Sequence, residues 1–144
     1  MNAKDFFSAE QKSAIQKSIA DAELHTSGEI RLHIENKAGS DAVAKAKKTF
    51  DSLRMHKTKD RNGVIFLLAV KDKAFAIYGD KGIHERVHQT FWDDVKTVMG
   101  EKFHNGEFTE GLCKGIEMAG QKLKEHFPRE HSDKDELSNE VSFE

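Results

Sequence analysis

The sequence predicts an α/β fold, one mixed sheet packed between helices. Two observations lead there. Val64-Ile65-Phe66-Leu67-Leu68-Ala69-Val70 is apolar at every position, the pattern of a strand covered on both faces. Around it, segments with apolar residues every three or four positions alternate with segments of period two, so helices and strands are interleaved.

The elements follow in order. Ser8 opens a capping box with Gln11, and Ile15, Ile19, Ala22 and Leu24 recur at helical spacing, which predicts a helix from about Ala9 to Leu24. Thr26-Ser27-Gly28 ends it. Ile30, Leu32 and Ile34 then alternate with Arg31, His33 and Glu35, the signature of a strand with one face in the core and the other toward solvent. Gly39 breaks that strand. Ser40 or Asp41 caps a second helix, whose inner face is Val43, Ala46, Phe50 and Leu53.

The polar stretch from Lys57 to Gly63 leads into the central strand. Lys71-Asp72-Lys73 is a tight turn, and Ala74 to Tyr78 is the next strand, so the two strands form an antiparallel hairpin. Gly79-Asp80-Lys81-Gly82 leaves the hairpin as a loop. A third helix spans about Thr90 to Phe103, with Phe91, Val95, Val98, Met99 and Phe103 inward and Trp92 as a core anchor; Asn105-Gly106 stops it. A fourth runs from about Thr109 to His126 with Leu112, Ile116, Ala119 and Leu123 inward. Pro128, the chain's one proline, marks the end of residues 1–127, the expected domain. Residues 128–144 hold two basic and six acidic residues, and this composition predicts a disordered, solvated acidic tail rather than a docking peptide.

Composition narrows the function. At 144 residues the chain is one domain of ordinary size, able to bury a core without staples. Cys113 is the single cysteine, so no internal disulfide forms, and its place in a helical pattern suits a small buried hydrophobe. The net charge of −2 gives no strongly basic face, which argues against nucleic acid. No segment reaches the roughly 18 apolar residues of a membrane span, and the N-terminus has no signal-peptide core, so the expectation is a cytoplasmic monomer.

Two polar loops carry the candidate chemistry: 57–63 entering the central strand, and 79–85 leaving its hairpin partner. Antiparallel pairing puts the start of one strand and the end of the other at the same edge of the sheet. Asp60, Asn62 and Asp80 can therefore converge, with Glu85 and Glu29 as outer candidates. Glu29 reaches this edge only if its own strand starts there. Carboxylate and amide oxygens are what hard divalent cations take, and Gly63, Gly79 and Gly82 let the backbone turn close to an ion. The same residue types also dominate ordinary turns. The eight histidines show no zinc spacing, and there is no EF-hand loop, nucleophile elbow or phosphate-cradling glycine loop.

Four segments, in order, resemble the TPM domain family in its stand-alone bacterial form: Ser27-Gly28-Glu29-Ile30-Arg31, Arg61 through Val70, Ile77-Tyr78-Gly79-Asp80-Lys81-Gly82-Ile83, and Phe103 with Phe108, Gly111-Leu112 and Gly115-Ile116. The resemblance spans about Ala9 to Phe127. It implies an α-β-α sandwich with a central mixed sheet of about four strands, whose two loops at one sheet edge bind divalent metal, commonly calcium, with magnesium second, in a regulatory or interaction-mediating module whose protein partner is unknown. Thylakoid-lumen relatives are linked to acid phosphatase activity, so the alternative implied is a metal-dependent phosphatase. The sequence departs from the family's frequent Gly-Tyr-Gly, having Gly79-Asp80-Lys81-Gly82 instead.

Overall fold

The computed structural model describes residues 2–129 and 142–143. Its elements are α1 (Ala9–Glu23), β1 (Glu29–Glu35), α2 (Ala42–Ser52), β2 (Gly63–Ala69), β3 (Ala74–Gly79), α3 (Lys81–His84), α4 (Gln89–His104), α5 (Phe108–His126) and β4 (Ser142–Phe143), with short 3-10 turns at Ala3–Asp5 and Met55–Lys57. The sheet order is β3-β2-β1-β4. β1 and β2 are parallel, β2 and β3 antiparallel, so the sheet is mixed, with three long strands and a two-residue fourth beside β1.

Local sequence sets the boundaries. Both halves of the Ser8–Gln11 capping box are present at the start of α1. Asp41 rather than Ser40 caps α2, its side chain accepting from the Ala44 amide. Gly106, in the left-handed region at φ 80°, turns the chain from α4 into α5.

The sheet separates two apolar layers. On one face Ile30, Leu32, Ile34, Val64, Phe66, Leu68 and Ile77 pack under α1, α4 and α5. On the other Ile65, Leu67, Ala69 and Ala76 pack under α2, against Ala46, Phe50 and Met55. All seven residues of β2 are buried, as its apolar run requires. On α5 the four positions expected inward, Leu112, Ile116, Ala119 and Leu123, are buried.

Three expectations are corrected. Val43 is 46% exposed, because the buried stripe of α2 runs through Ala46, Thr49 and Phe50. The loop expected after β3 contains α3, a single turn capped by Asp80. The polar side of β1 does not face water: His33 and Glu35 are buried at 6% and 1%. His33 Nε2 lies 3.1 Å from Glu35 Oε1, which also pairs with Lys45 of α2 at 3.5 Å. A buried carboxylate is tolerated when so paired.

At the C-terminal end Pro128 bridges to Thr26, and the Arg129 guanidinium donates to the Glu23 carbonyl at 2.9 Å. The expected disordered acidic tail falls mainly on residues 130–141 and 144, which lie outside the described residues. Ser142 and Phe143 pair with His33 and Ile34, and Ser142 Oγ sits 2.6 Å from His33 Nδ1.

Removing residues 130–144 should therefore uncover the edge of β1 and leave His33 without its serine partner. A loss of about 1–2 kcal/mol is expected, with shifts in the His33 and Ile34 amide signals and more self-association through the bared edge. Thermal melting, NMR and sedimentation read these; an unchanged melting curve would mean that β4 adds nothing to stability.

Candidate metal centre

The parallel register brings three strand ends to one place. Glu29, the first residue of β1, pairs with Gly63, the first of β2. The Asp80 amide donates to the Gly63 carbonyl at 2.9 Å, so the end of β3 arrives at the same edge. Glu29 thus meets the condition its strand had to satisfy, and Glu29 and Asp80 flank Gly63 on its two neighbouring strands.

Asp80 is 2% exposed, and burial of a carboxylate demands partners. Arg61 supplies them in a bidentate pair, Nε to Oδ2 at 2.7 Å and Nη2 to Oδ1 at 2.9 Å. Oδ1 also accepts the Lys81 amide at 2.7 Å, capping α3. Arg61 reaches Asp80 from backbone in the left-handed region, φ 52°, an uncommon state for a residue with a side chain. Its own carbonyl accepts the Gly82 amide at 2.7 Å. A Cβ on Gly82 would collide with the carbonyl oxygens of Asp60 and Arg61, 2.6 Å from the latter, so glycine alone lets α3 seat against this loop.

Asn62 is 1% exposed. Its amide nitrogen donates to Ser27 Oγ at 3.2 Å and its backbone amide to Thr58 Oγ1 at 3.2 Å. Its Oδ1 is buried with no hydrogen-bond partner among the described residues. Ser27 Oγ also donates to Asp60 Oδ2 at 3.5 Å, so one serine joins Asp60 and Asn62. Asp60 itself is exposed, and Glu85 stands beyond the single turn of α3 as its exposed C-cap.

The fold therefore brings Glu29, Asn62 and Asp80 to one sheet edge, sets Asp60 on its rim and leaves Glu85 outside it. As they stand, no three or more histidine, cysteine, aspartate or glutamate side chains are grouped closely enough to hold a metal ion among the described residues. Arg61 fills the place at Asp80 that a cation would take. The donor types are nonetheless all hard oxygens, and the orphaned Asn62 Oδ1 is an acceptor without a donor, which suits a calcium-like ion.

The electrostatics agree with this geometry. Hydrogen bonding and attraction to Asp80 raise the Arg61 guanidinium further above its ordinary value. The Tyr78 phenol is raised by burial first and by the negative charges of Asp80 and Asp51 second. Away from this edge, burial pushes the Cys113 thiol up, so it is held in its unreactive protonated form.

Arg61 is what sequence reasoning missed here. The signal available was a basic residue directly beside an acidic one on a strand-entry loop.

An α-β-α sandwich with acid and amide groups gathered at one end of a mixed sheet defines the class. The chain belongs to the TPM domain family, whose model matches residues 1–122. It is similar to the solved structure of the BA42 protein from the psychrophilic bacterium Bizionia argentinensis, at 44% identity and a TM-score of 0.91, covering 98% of this chain and 97% of that one. The N-terminal domain of a P. gingivalis protein shares the fold at 17% identity, TM-score 0.71, covering 88% of this chain and 84% of that one. So does the N-terminal domain of cg2496 from Corynebacterium glutamicum, at 14% identity and TM-score 0.64, covering 82% and 74%. No curated protein matches the chain. Among the described residues no helix is long and apolar enough to cross a membrane.

Two outcomes are expected at this edge. Asp80→Asn should lower the Tyr78 pKa, though not to its ordinary value, because burial remains; absorbance of tyrosinate reports it without ambiguity, since the chain has one tyrosine. In the native protein the raised phenol pKa means that stability falls as pH rises through about 10, where the unfolded chain releases the proton first. Gly82→Ala should cost about 1–3 kcal/mol by forcing α3 off the Asp60–Arg61 backbone, measured by denaturant unfolding.

Proposed function

We propose that this chain is a divalent-cation-binding module, with calcium preferred and magnesium second, acting through a protein partner rather than by turnover. The observation that carries the reading is the buried Asn62 Oδ1, which accepts no hydrogen bond among the described residues, on the loop that leads into the strand flanked by Glu29 and Asp80. Asp80 and Asn62 would hold the ion, with Glu29 and Asp60 closing around it and Glu85 at its periphery. The ion would supply positive charge in place of the Arg61 guanidinium. Arg61 is half-exposed, so its side chain can leave Asp80 for solvent without disturbing the core.

On this reading Arg61 is a built-in counter-ion. It keeps the Asp80 carboxylate paired when the ion is absent and competes with the ion when it is present. The loops would exchange one charge partner for another while their backbone hydrogen bonds to Gly63 and Arg61 persist, so a partner protein would sense where the arginine is and what charge the edge presents.

Calcium at a hundredfold excess over its Kd should stabilise the fold by about 2.7 kcal/mol, a rise in melting temperature on the order of 5 to 10 °C. Asp80→Asn should remove most of that gain. Arg61→Ala should lower the stability of the metal-free protein, and calcium should restore it. If saturating calcium and magnesium both leave the melting curve and the amide signals of residues 59–63 and 79–85 unmoved, the reading is wrong. Calcium-dependent hydrolysis of a generic phosphomonoester, lost in Asp80→Asn, would replace the module with a phosphatase.

A further inference from the structure

The opposite end of the sheet carries a second, chemically different site. Where β2 ends and β3 begins, a cleft of about 670 Å³ opens between the sheet and helices α4 and α5. That volume is in the range of small-molecule sites. Its wall is a run of rings: Phe75 edge-on to Phe103 at 4.9 Å, Phe103 stacked on Phe108 at 5.2 Å, and Phe108 edge-on to Phe6 at 5.1 Å. All four rings are only partly buried, so their apolar faces stay open to the cleft.

Gly100 gives independent support. It lies in the interior of α4, where glycine is less stable than alanine. Crowding explains the glycines of α5: a Cβ on Gly111 would press into Phe103, and one on Gly120 into Ala22. It does not explain Gly100, whose Cβ would meet nothing nearer than Phe75 Cζ at 3.9 Å. What this glycine does is leave room, because it lines the cleft.

The rim is basic. Among the described residues, Lys73 and His104 are the ionisable groups lining the cleft, and both are exposed. Nearby carboxylates are engaged elsewhere: Asp72 accepts the Ala38 amide at 2.8 Å, and Glu107 pairs with Lys102 at 3.6 Å. An aromatic floor under a basic rim complements a molecule with an apolar body and one anionic head.

We propose that this cleft binds a small amphiphilic carboxylate, its chain along the Phe75–Phe103–Phe108–Phe6 wall and its head at Lys73 and His104. The site is independent of the cation-binding reading, since none of the loop-edge residues lines it.

Decanoate below its micelle concentration is the probe, followed by NMR. It should shift the amide signals of residues 68–75 and 100–108 saturably and leave 59–63 unmoved. Decanol, with the same chain and no charge, should bind about fivefold more weakly, and Lys73→Glu should cost decanoate about the same factor, the scale of one exposed ion pair. Gly100→Leu should fill the cleft and abolish binding. Should that variant fail to fold, Gly100→Ala, whose added methyl makes only ordinary contact, should melt higher than the native protein and bind decanoate more weakly. Absence of saturable shifts, saturable shifts centred elsewhere, equal binding of decanoate by the Lys73→Glu protein, or full binding by a folded Gly100→Leu or Gly100→Ala protein would each overturn the proposal.

Discussion

A strand that is apolar at every position admits no solvent on either face, and β2 is such a strand. It must lie inside the sheet, with a neighbour on each side and a helical layer on each face. The hairpin supplies β3 at once. The other neighbour has to be β1, and the helix between β1 and β2 makes that pairing a parallel crossover, with α2 laid on one face. α1, α4 and α5 then close the other. From this follows the position of the polar edge. Parallel pairing aligns the starts of β1 and β2, antiparallel pairing returns the end of β3 to them, and Glu29, Asn62 and Asp80 meet because of how a buried strand is accommodated.

The same edge shows how a fold tolerates a buried charge. Asp80 is held by a bidentate arginine and a backbone amide, and the arginine stands in an unfavourable backbone region to do it. The strain is compensated nearby: the Arg61 carbonyl receives Gly82, and Gly82 has no side chain to obstruct the contact. One pairing thus couples the loop before β2 to the turn after β3. Any ion proposed for the edge has to compete with that pairing, so affinity there is a difference between two charge partners, and the exposed arginine end is the part free to give way.

Much of this was legible in the sequence. Helical spacing and capping chemistry placed α1, α4 and α5 within a residue or two, because those signals are local. The hairpin was legible too, and with it the convergence of the loops holding Asp60, Asn62 and Asp80. Period-two alternation in β1 told which residues share a face but not what covers that face. His33 and Glu35 looked solvent-facing, and only the folded chain shows Lys45 and Ser142 closing over them. A pairing of two residues at β4 leaves no compositional trace in an acidic segment, and a single helical turn such as α3 is too short for a period. Glu29 could be named only conditionally, because strand register between segments more than thirty residues apart is a tertiary fact.

The two ends of β2 divide the chemistry of the molecule. At Gly63 the neighbouring side chains are oxygen-rich and Asp80 is paired with Arg61; at Ala69 they give way to aromatic rings beside a lysine and a histidine. Seven buried residues join these ends, and a packed strand of that kind has little freedom to bend or slide. Neither end can therefore move its backbone much without disturbing the other layers of the core. Change at either site has to be carried by side chains at the surface: Arg61 at one end, Lys73 and His104 at the other. Those three are exposed and basic: Arg61 is paired with Asp80 itself, and Lys73 and His104 stand at the rim of the cleft. The buried groups define which chemistry each end could accept, and the exposed basic side chains set what an ion or anion proposed for either end would have to displace or satisfy.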